Sequence, residues 1–132
     1  MIIVDSSAII AILLDESDAP AFLSALASAT DARLSAVTNY EIRTVAFSRG
    51  RERLLKEYEM LFATADLTIT PLDEQQSMLA FDGFRRWGKG IHPAGLNFGD
   101  CAAYALAKSL DAPLLFKGED FARTDVRRAL QA

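Results

Sequence analysis

Cysteine, histidine and tryptophan each occur once in the 132 residues, and this scarcity removes whole classes of chemistry. The lone Cys101 cannot close an intramolecular disulfide or anchor a Cys-rich zinc site, and it fits a reducing compartment, the cytoplasm. With only 7 glycines and 4 prolines, collagen-like and low-complexity architectures are excluded. No apolar run exceeds seven residues, whereas a membrane-spanning helix needs roughly 20. The N-terminus reads MIIVD and the first basic residue is Arg33, so the charged start of a secretory signal is missing and no membrane partner is expected. Positive charge is also short. A net charge of −4 and a pI near 4.9 argue against holding nucleic acid by bulk charge, so a polyanion would need a local basic patch or a metal.

What is present suits one folded domain over residues 1–132: 51% of residues are hydrophobic and 24% charged, enough apolar surface to offset the ordering entropy of the chain. Met1–Val4 reads as a strand, Asp5-Ser6-Ser7 as a turn, and Ala8–Leu14 as a helix. Asp18-Ala-Pro-Ala starts a second helix with its stripe at Phe22, Leu23, Leu26 and Ala27. Ala32–Ala36 follows as a short strand, and Thr38-Asn-Tyr-Glu41 has capping-box spacing for a helix running through Ile42, Val45 and Ala46. Gly50 separates that helix from another spanning Arg51 to about Ala65. Leu67–Pro71 alternates as a strand, Asp73 opens a helix to about Trp87, and Gly88–Gly95 is a Gly/Pro-rich loop. Asn97 caps a helix from Phe98 to Leu110, and Pro113–Phe116 forms the last strand, while the residues from Asp120 to Val126 are too few to classify. Strands alternating with helices predict an α/β fold with a central, mainly parallel sheet flanked by helices.

Open parallel sheets bind ligands outside the carboxyl ends of their strands. Asp5 closes the first strand, Glu41 starts the helix after the second, Asp100 starts the helix before the fourth, and Glu119 and Asp120 follow that fourth strand. Acids 36 and 59 residues apart would thus meet at one sheet edge. Converging carboxylates repel one another unless some are protonated or a cation lies between them. An all-oxygen set selects Mg²⁺ or Mn²⁺, which polarises a phosphodiester and acidifies a bound water. Each acid also has a plainer reading: Glu41 as the reciprocal half of the Thr38 box, Asp5 and Asp100 as favourable charges at helix N-termini. Asp5 is the sharpest of them, because solvation explains poorly a charge directly after an apolar strand.

The stretches MIIVDSSAIIAIL, SAVTNYE and LNFGDCAAYALAKSLDAPLLFKGEDF, in that order, resemble the PIN-domain family, and within it the VapC-type toxin ribonucleases, over nearly the whole chain. The stretch from Asn97 to Phe121 is the most specific part of the match. The resemblance implies a PIN-like sheet with an acidic pocket that binds Mg²⁺ or Mn²⁺ and hydrolyses RNA, leaving a 3′-hydroxyl and a 5′-phosphate. Asp5, Glu41 and Asp100 match the family's first, second and third acids, and Ser6 and Ser7 the hydroxyl positions after the first, where an oxygen can orient a ligand of the metal. Many relatives carry a fourth acid two residues after the last strand. That place is Gly118 here, so the role passes to Asp120 or Glu119. The resemblance further implies a homodimer and a cognate antitoxin protein that covers the pocket as the toxin's partner.

Other residues weigh less. Arg43, Arg49, Arg51, Arg53 and Lys56 gather five of the 14 basic residues, a track for RNA phosphates or, more simply, a solvated helix face. His92 reads as a loop residue, Cys101 as packing, and Phe81, Phe84 and Trp87 as core or interface. Two other functions compete with an endoribonuclease toxin. A phospho-receiver-like signalling module would also gather acids around Mg²⁺, and Lys117 suits it, but Asp5 is followed by serines and Leu67–Pro71 lacks an acceptor acid. A degenerate PIN fold that only binds a partner is the other.

Overall fold

Alternation along two neighbouring strands decides how the sheet is sandwiched. In the computed structural model, which describes residues 1–130, strand β1 (Ile2–Val4) lies beside β4 (Leu114–Leu115), with Ile3 paired to Leu114 and Val4 to Leu115. Successive side chains point to opposite faces of a strand. Ile3 and Leu114 therefore enter one hydrophobic cluster, with Tyr104, Leu106 and Phe121, while Val4 and Leu115 enter the other, with Ile9, Phe22, Ile42 and Tyr58. All four of these strand side chains are fully buried, each contributing roughly 1.5–3 kcal/mol. Strands β2 (Ala32–Ser35) and β3 (Thr68–Thr70) complete a wholly parallel sheet of order β3-β2-β1-β4.

Helices α1 (Ser6–Leu13), α2 (Ala19–Ser28) and α3 (Ala36–Thr64) supply the first face, and α4 (Glu74–Trp87) and α5 (Phe98–Ser109) the second. The expected α/β architecture, a parallel sheet between helices, is the one observed. Residues 131 and 132, the end of the expected 1–132 domain, lie outside the described residues.

Local boundaries differ where a side chain took an unexpected job. Helix α1 begins at Ser6 rather than Ala8, because Asp5 accepts from the Ser7 backbone N–H and so acts as its cap. The capping box expected at Thr38 and Glu41 is not formed: α3 starts three residues earlier, capped by Ser35, whose Oγ accepts from the Val37 N–H at 3.2 Å. Thr38 is instead fully buried, with its hydroxyl unpartnered among the described residues. The capping box is on α5, where Asn97 and Asp100 each accept from the other's backbone N–H.

Helix α3 reverses direction at Arg51, whose φ of 53° and ψ of −140° are not helical. Sixteen residues of continuous helix would span about 24 Å, yet Arg43 reaches Glu59 at 3.4 Å and Tyr58 donates to Asn39 Oδ1 at 2.9 Å. The segment is therefore two helical limbs, as expected, which run antiparallel, with the break one residue past Gly50. At Gly50 a Cβ would meet Leu54 Cγ at 2.3 Å, so the glycine serves close approach. Phe121–Arg123, left unclassified by sequence, is a turn of 3-10 helix.

Candidate active site

Asp5 sits where β1 hands over to α1, 2% exposed. Its Oδ2 accepts from the Ser7 backbone at 3.0 Å and from Ser7 Oγ at 2.6 Å, and Ser7 Oγ in turn accepts from the Lys117 N–H at 2.9 Å. One serine thus pins the first acid and ties the end of β1 to the segment after β4. The other oxygen, Oδ1, is buried with no hydrogen-bond partner among the described residues. Burial pushes the Asp5 carboxyl up to about 7; the two Ser7 hydrogen bonds oppose this, and the charges of Asp100 and Glu41 add to it.

Asp100 lies in the first turn of α5, where Oδ2 accepts from the Asn97 N–H at 3.0 Å and Asn97 Oδ1 accepts from the Asp100 N–H at 2.8 Å. The plain reading of Asp100 as a helix-start acid is therefore true as far as it goes. Its carboxyl is nonetheless raised to about 6, chiefly by burial, with the charges of Glu41 and Asp120 adding to the rise against the Asn97 hydrogen bond. A simple capping acid in water would be shifted the other way by the helix N-terminus.

Glu41 is not the half of a capping box. It projects from the first limb of α3 toward the start of α5, where a Cβ on Gly99 would come within 2.7 Å of Oε2 and 2.8 Å of Oε1. The sequence reading missed Gly99; its signal was the glycine directly before Asp100 at a helix start. Asp120 follows β4 at an exposed position, and its charge reaches Asp100. Glu119 is also exposed and makes no hydrogen bond or ion pair, and Ser6 makes no side-chain hydrogen bond, among the described residues. Gly118 has a φ of +100°, which explains why no acid stands there: a side-chain-bearing residue would be strained despite open space.

Two of the acids, Asp5 and Asp100, thus respond to charges gathered at the carboxyl edge of the sheet. Asp5 senses Asp100 and Glu41; Asp100 senses Glu41 and Asp120. Among the described residues no three His, Cys, Asp or Glu side chains are placed close enough together to hold a metal ion as they stand. The chemistry of the set nonetheless suits a hard divalent ion: every candidate donor is a carboxylate oxygen, and one of them, the buried Asp5 Oδ1, has no hydrogen-bond partner among the described residues.

In the basic stretch Arg43 pairs with Glu59, Arg53 with Glu57 at 3.0 Å, and Arg51 donates to the Phe47 carbonyl, as on a solvated helix face, while Arg49 and Lys56 are exposed and make no ion pair among the described residues. His92 is a loop residue, its Nδ1 accepting from the Ala94 N–H. Trp87 donates to the Tyr104 hydroxyl, whereas Phe81 and Phe84 line an exposed groove. No helix among the described residues is long and apolar enough to cross a membrane.

The PIN-domain family model matches residues 2–127. This chain belongs to the PIN-domain family. It is 47% identical over 129 residues to ribonuclease VapC28 of Mycobacterium tuberculosis, covering 97% of each chain. It is 42% identical over 124 residues to ribonuclease VapC of Mycolicibacterium smegmatis, covering 94% of this chain and 96% of that one. In fold it resembles the sarcin-ricin-loop-cleaving toxin VapC20 of M. tuberculosis, with a TM-score of 0.78 at 15% identity over 96% of both chains. A toxin-antitoxin complex from Klebsiella pneumoniae contains a chain that matches with a TM-score of 0.72 at 17% identity, over 95% of this chain and 93% of that one. Membership of this family sets the phospho-receiver alternative aside.

Proposed function

We propose that this PIN domain is a VapC-type toxin, an endoribonuclease that hydrolyses RNA with Mg²⁺ or Mn²⁺ and is silenced by a cognate antitoxin protein. The observation that carries the reading is Asp5: a carboxylate at a strand end, raised chiefly by its burial and further by the charges of Asp100 and Glu41, with one oxygen that has no hydrogen-bond partner among the described residues. Its curated relatives, near-identical in length, are named ribonucleases. Asp5, Glu41, Asp100 and Asp120 are the residues that would hold the ion. A divalent cation bound there supplies polarisation of the phosphodiester and acidification of a water. The chain's own part is positional: Ser7 fixes Asp5 so that Oδ1 stays available, and the Asn97 cap holds Asp100. Gly99 makes room for Glu41.

The antitoxin is inferred from the toxin-antitoxin complex among the structural neighbours, and a basic side chain inserted among the acids would neutralise them. A second copy of the chain is the other partner. The apolar groove of about 370 Å³ along α4 and α5, with Phe81 and Phe84 in its wall, supports that pairing.

The test is incubation of purified protein with cellular RNA and Mn²⁺, with EDTA and Asp5→Asn as controls. Metal-dependent cleavage lost in the variant is expected. Absence of cleavage by a folded, antitoxin-free wild type would favour the degenerate, binding-only fold.

A further inference from the structure

Two grooves flank the start of α5, and they differ in chemistry. The groove against α4 has Ser77 as the one polar residue in its lining and shares Phe98 and Val37 with the other groove, Phe98 standing at the rim between the two. The second, of about 440 Å³, runs from Glu41 along the outer side of α3 and is walled by Tyr40, Thr44, Asn97 and Phe98. Small-molecule sites usually measure roughly 300–1,000 Å³ and combine apolar walls with few polar groups.

We propose that this second groove is a nucleobase subsite: resting on the ribonuclease reading, it takes an unpaired base of single-stranded RNA beside the scissile phosphate. Tyr40 is 74% and Phe98 81% exposed, which no packing of this chain explains. Tyr40 directly precedes Glu41, and Phe98 stands two residues before Asp100, so the helix starts that carry two acids also carry the two rings. Among the described residues neither ring touches the other, another aromatic or a guanidinium, which leaves their faces free.

The polar groups suit a base edge. Asn97 Oδ1 is taken by the Asp100 N–H, while its Nδ2 meets no acceptor among the described residues and is free to donate to a base carbonyl or ring nitrogen. No lysine or arginine lines the groove, so it has nothing to hold a phosphate with, whereas a neutral base meets no repulsion from Glu41. Single-stranded RNA is read in this way, by stacking unpaired bases on aromatic side chains.

The experiment takes a sequence that wild type cuts from a mixed single-stranded RNA pool with Mn²⁺, and measures KM and kcat separately. Tyr40→Ala and Phe98→Ala should each raise KM about 5- to 150-fold, the range of one lost stacking contact. Phe98→Tyr and Tyr40→Phe should stay near wild type. Replacing the nucleotide beside the cleaved bond by an abasic one should raise KM for wild type and add little for the alanine variants. Failure of wild type to cut any RNA overturns the ribonuclease reading. Cleavage with KM untouched by the variants and by the abasic RNA overturns the subsite alone. Variants that elute as monomers where wild type is a dimer would assign the rings to a contact between copies and also overturn it.

Discussion

Gly99 and the carboxylate of Glu41 occupy adjoining space: a methyl group at residue 99 would lie 2.7 Å from Oε2 and 2.8 Å from Oε1. The conflict is with the end of a flexible side chain and not with backbone, so Gly99→Ala should fold and push the acid aside. Alanine also favours helix by about 1 kcal/mol over glycine, so thermal stability should hold or rise. Mn²⁺ affinity by calorimetry should fall at least tenfold, and cleavage with it. Pairing Gly99→Ala with Glu41→Asp, which withdraws the carboxylate by one methylene, should recover part of the affinity. Unchanged Mn²⁺ binding in the single variant would detach Glu41 from the metal set.

The pH dependence of the metal-free protein follows from the two raised carboxyls. Asp5 at about 7 and Asp100 at about 6 both lie above their ordinary value of 3.8, so between these limits the folded state binds more protons than the unfolded one. Their contribution to stability is complete below about pH 4 and is lost as pH rises through 6 and 7. For Asp5 alone the loss is on the order of 4 kcal/mol at about 1.36 kcal/mol per pKa unit. Asp31 and Asp125, lowered by Arg33 and by Tyr104 with Lys108, act in the opposite sense, and only in the acid range below their ordinary value. Urea melts in EDTA should therefore show stability declining from pH 5 to pH 7.5, and Mn²⁺, which binds the ionised form, should stabilise progressively more over that interval. A flat EDTA profile would contradict the buried, mutually repelling acids.

The order of strands and helices was legible because burial on both faces writes itself as unbroken apolar runs, as in Met1–Val4 and Pro113–Phe116. Asp5 was legible for the same reason, being the charge that stops such a run. Thr38 and Glu41 misled because capping-box spacing is a local signal, and a local signal cannot reveal that Ser35 caps the helix three residues earlier. Gly99 stood out only as a glycine at a helix start; its role could not be read, since its neighbour, Glu41, is 58 residues away in sequence and meets it only in the folded state. The exposed rings of Tyr40 and Phe98 were missed because each occupies a helix position that periodicity assigns to neither core nor solvent with any force.

Ser7→Ala tests how firmly the first acid is held. The variant removes a 2.6 Å donor to Asp5 Oδ2, leaving that buried oxygen with the Ser7 backbone N–H alone, and takes the acceptor from the exposed Lys117 N–H. The cost should be about 1–3 kcal/mol of stability. Because that hydroxyl favours the ionised acid, its loss should move the Asp5 titration further up. Cleavage should then drop near pH 7 and recover partly at pH 8.5, whereas a purely structural lesion would lower activity equally at both pH values.

Asp120 and Glu119 compete for the fourth acidic role that the glycine at 118 leaves open. The positive φ of Gly118 turns the chain after β4 so that Asp120, two residues on, is the acid whose charge reaches Asp100. Glu119 shows no such influence. Both side chains are exposed, so neither Asp120→Asn nor Glu119→Gln should shift the melting temperature appreciably. Asp120→Asn should weaken Mn²⁺ binding and slow cleavage by tenfold or more, while Glu119→Gln should leave both within about twofold. Gly118→Asp should not substitute for the lost acid, since its carboxylate would come at the expense of a strained backbone. Small and equal effects of Asp120→Asn and Glu119→Gln would reduce the site to Asp5, Glu41 and Asp100.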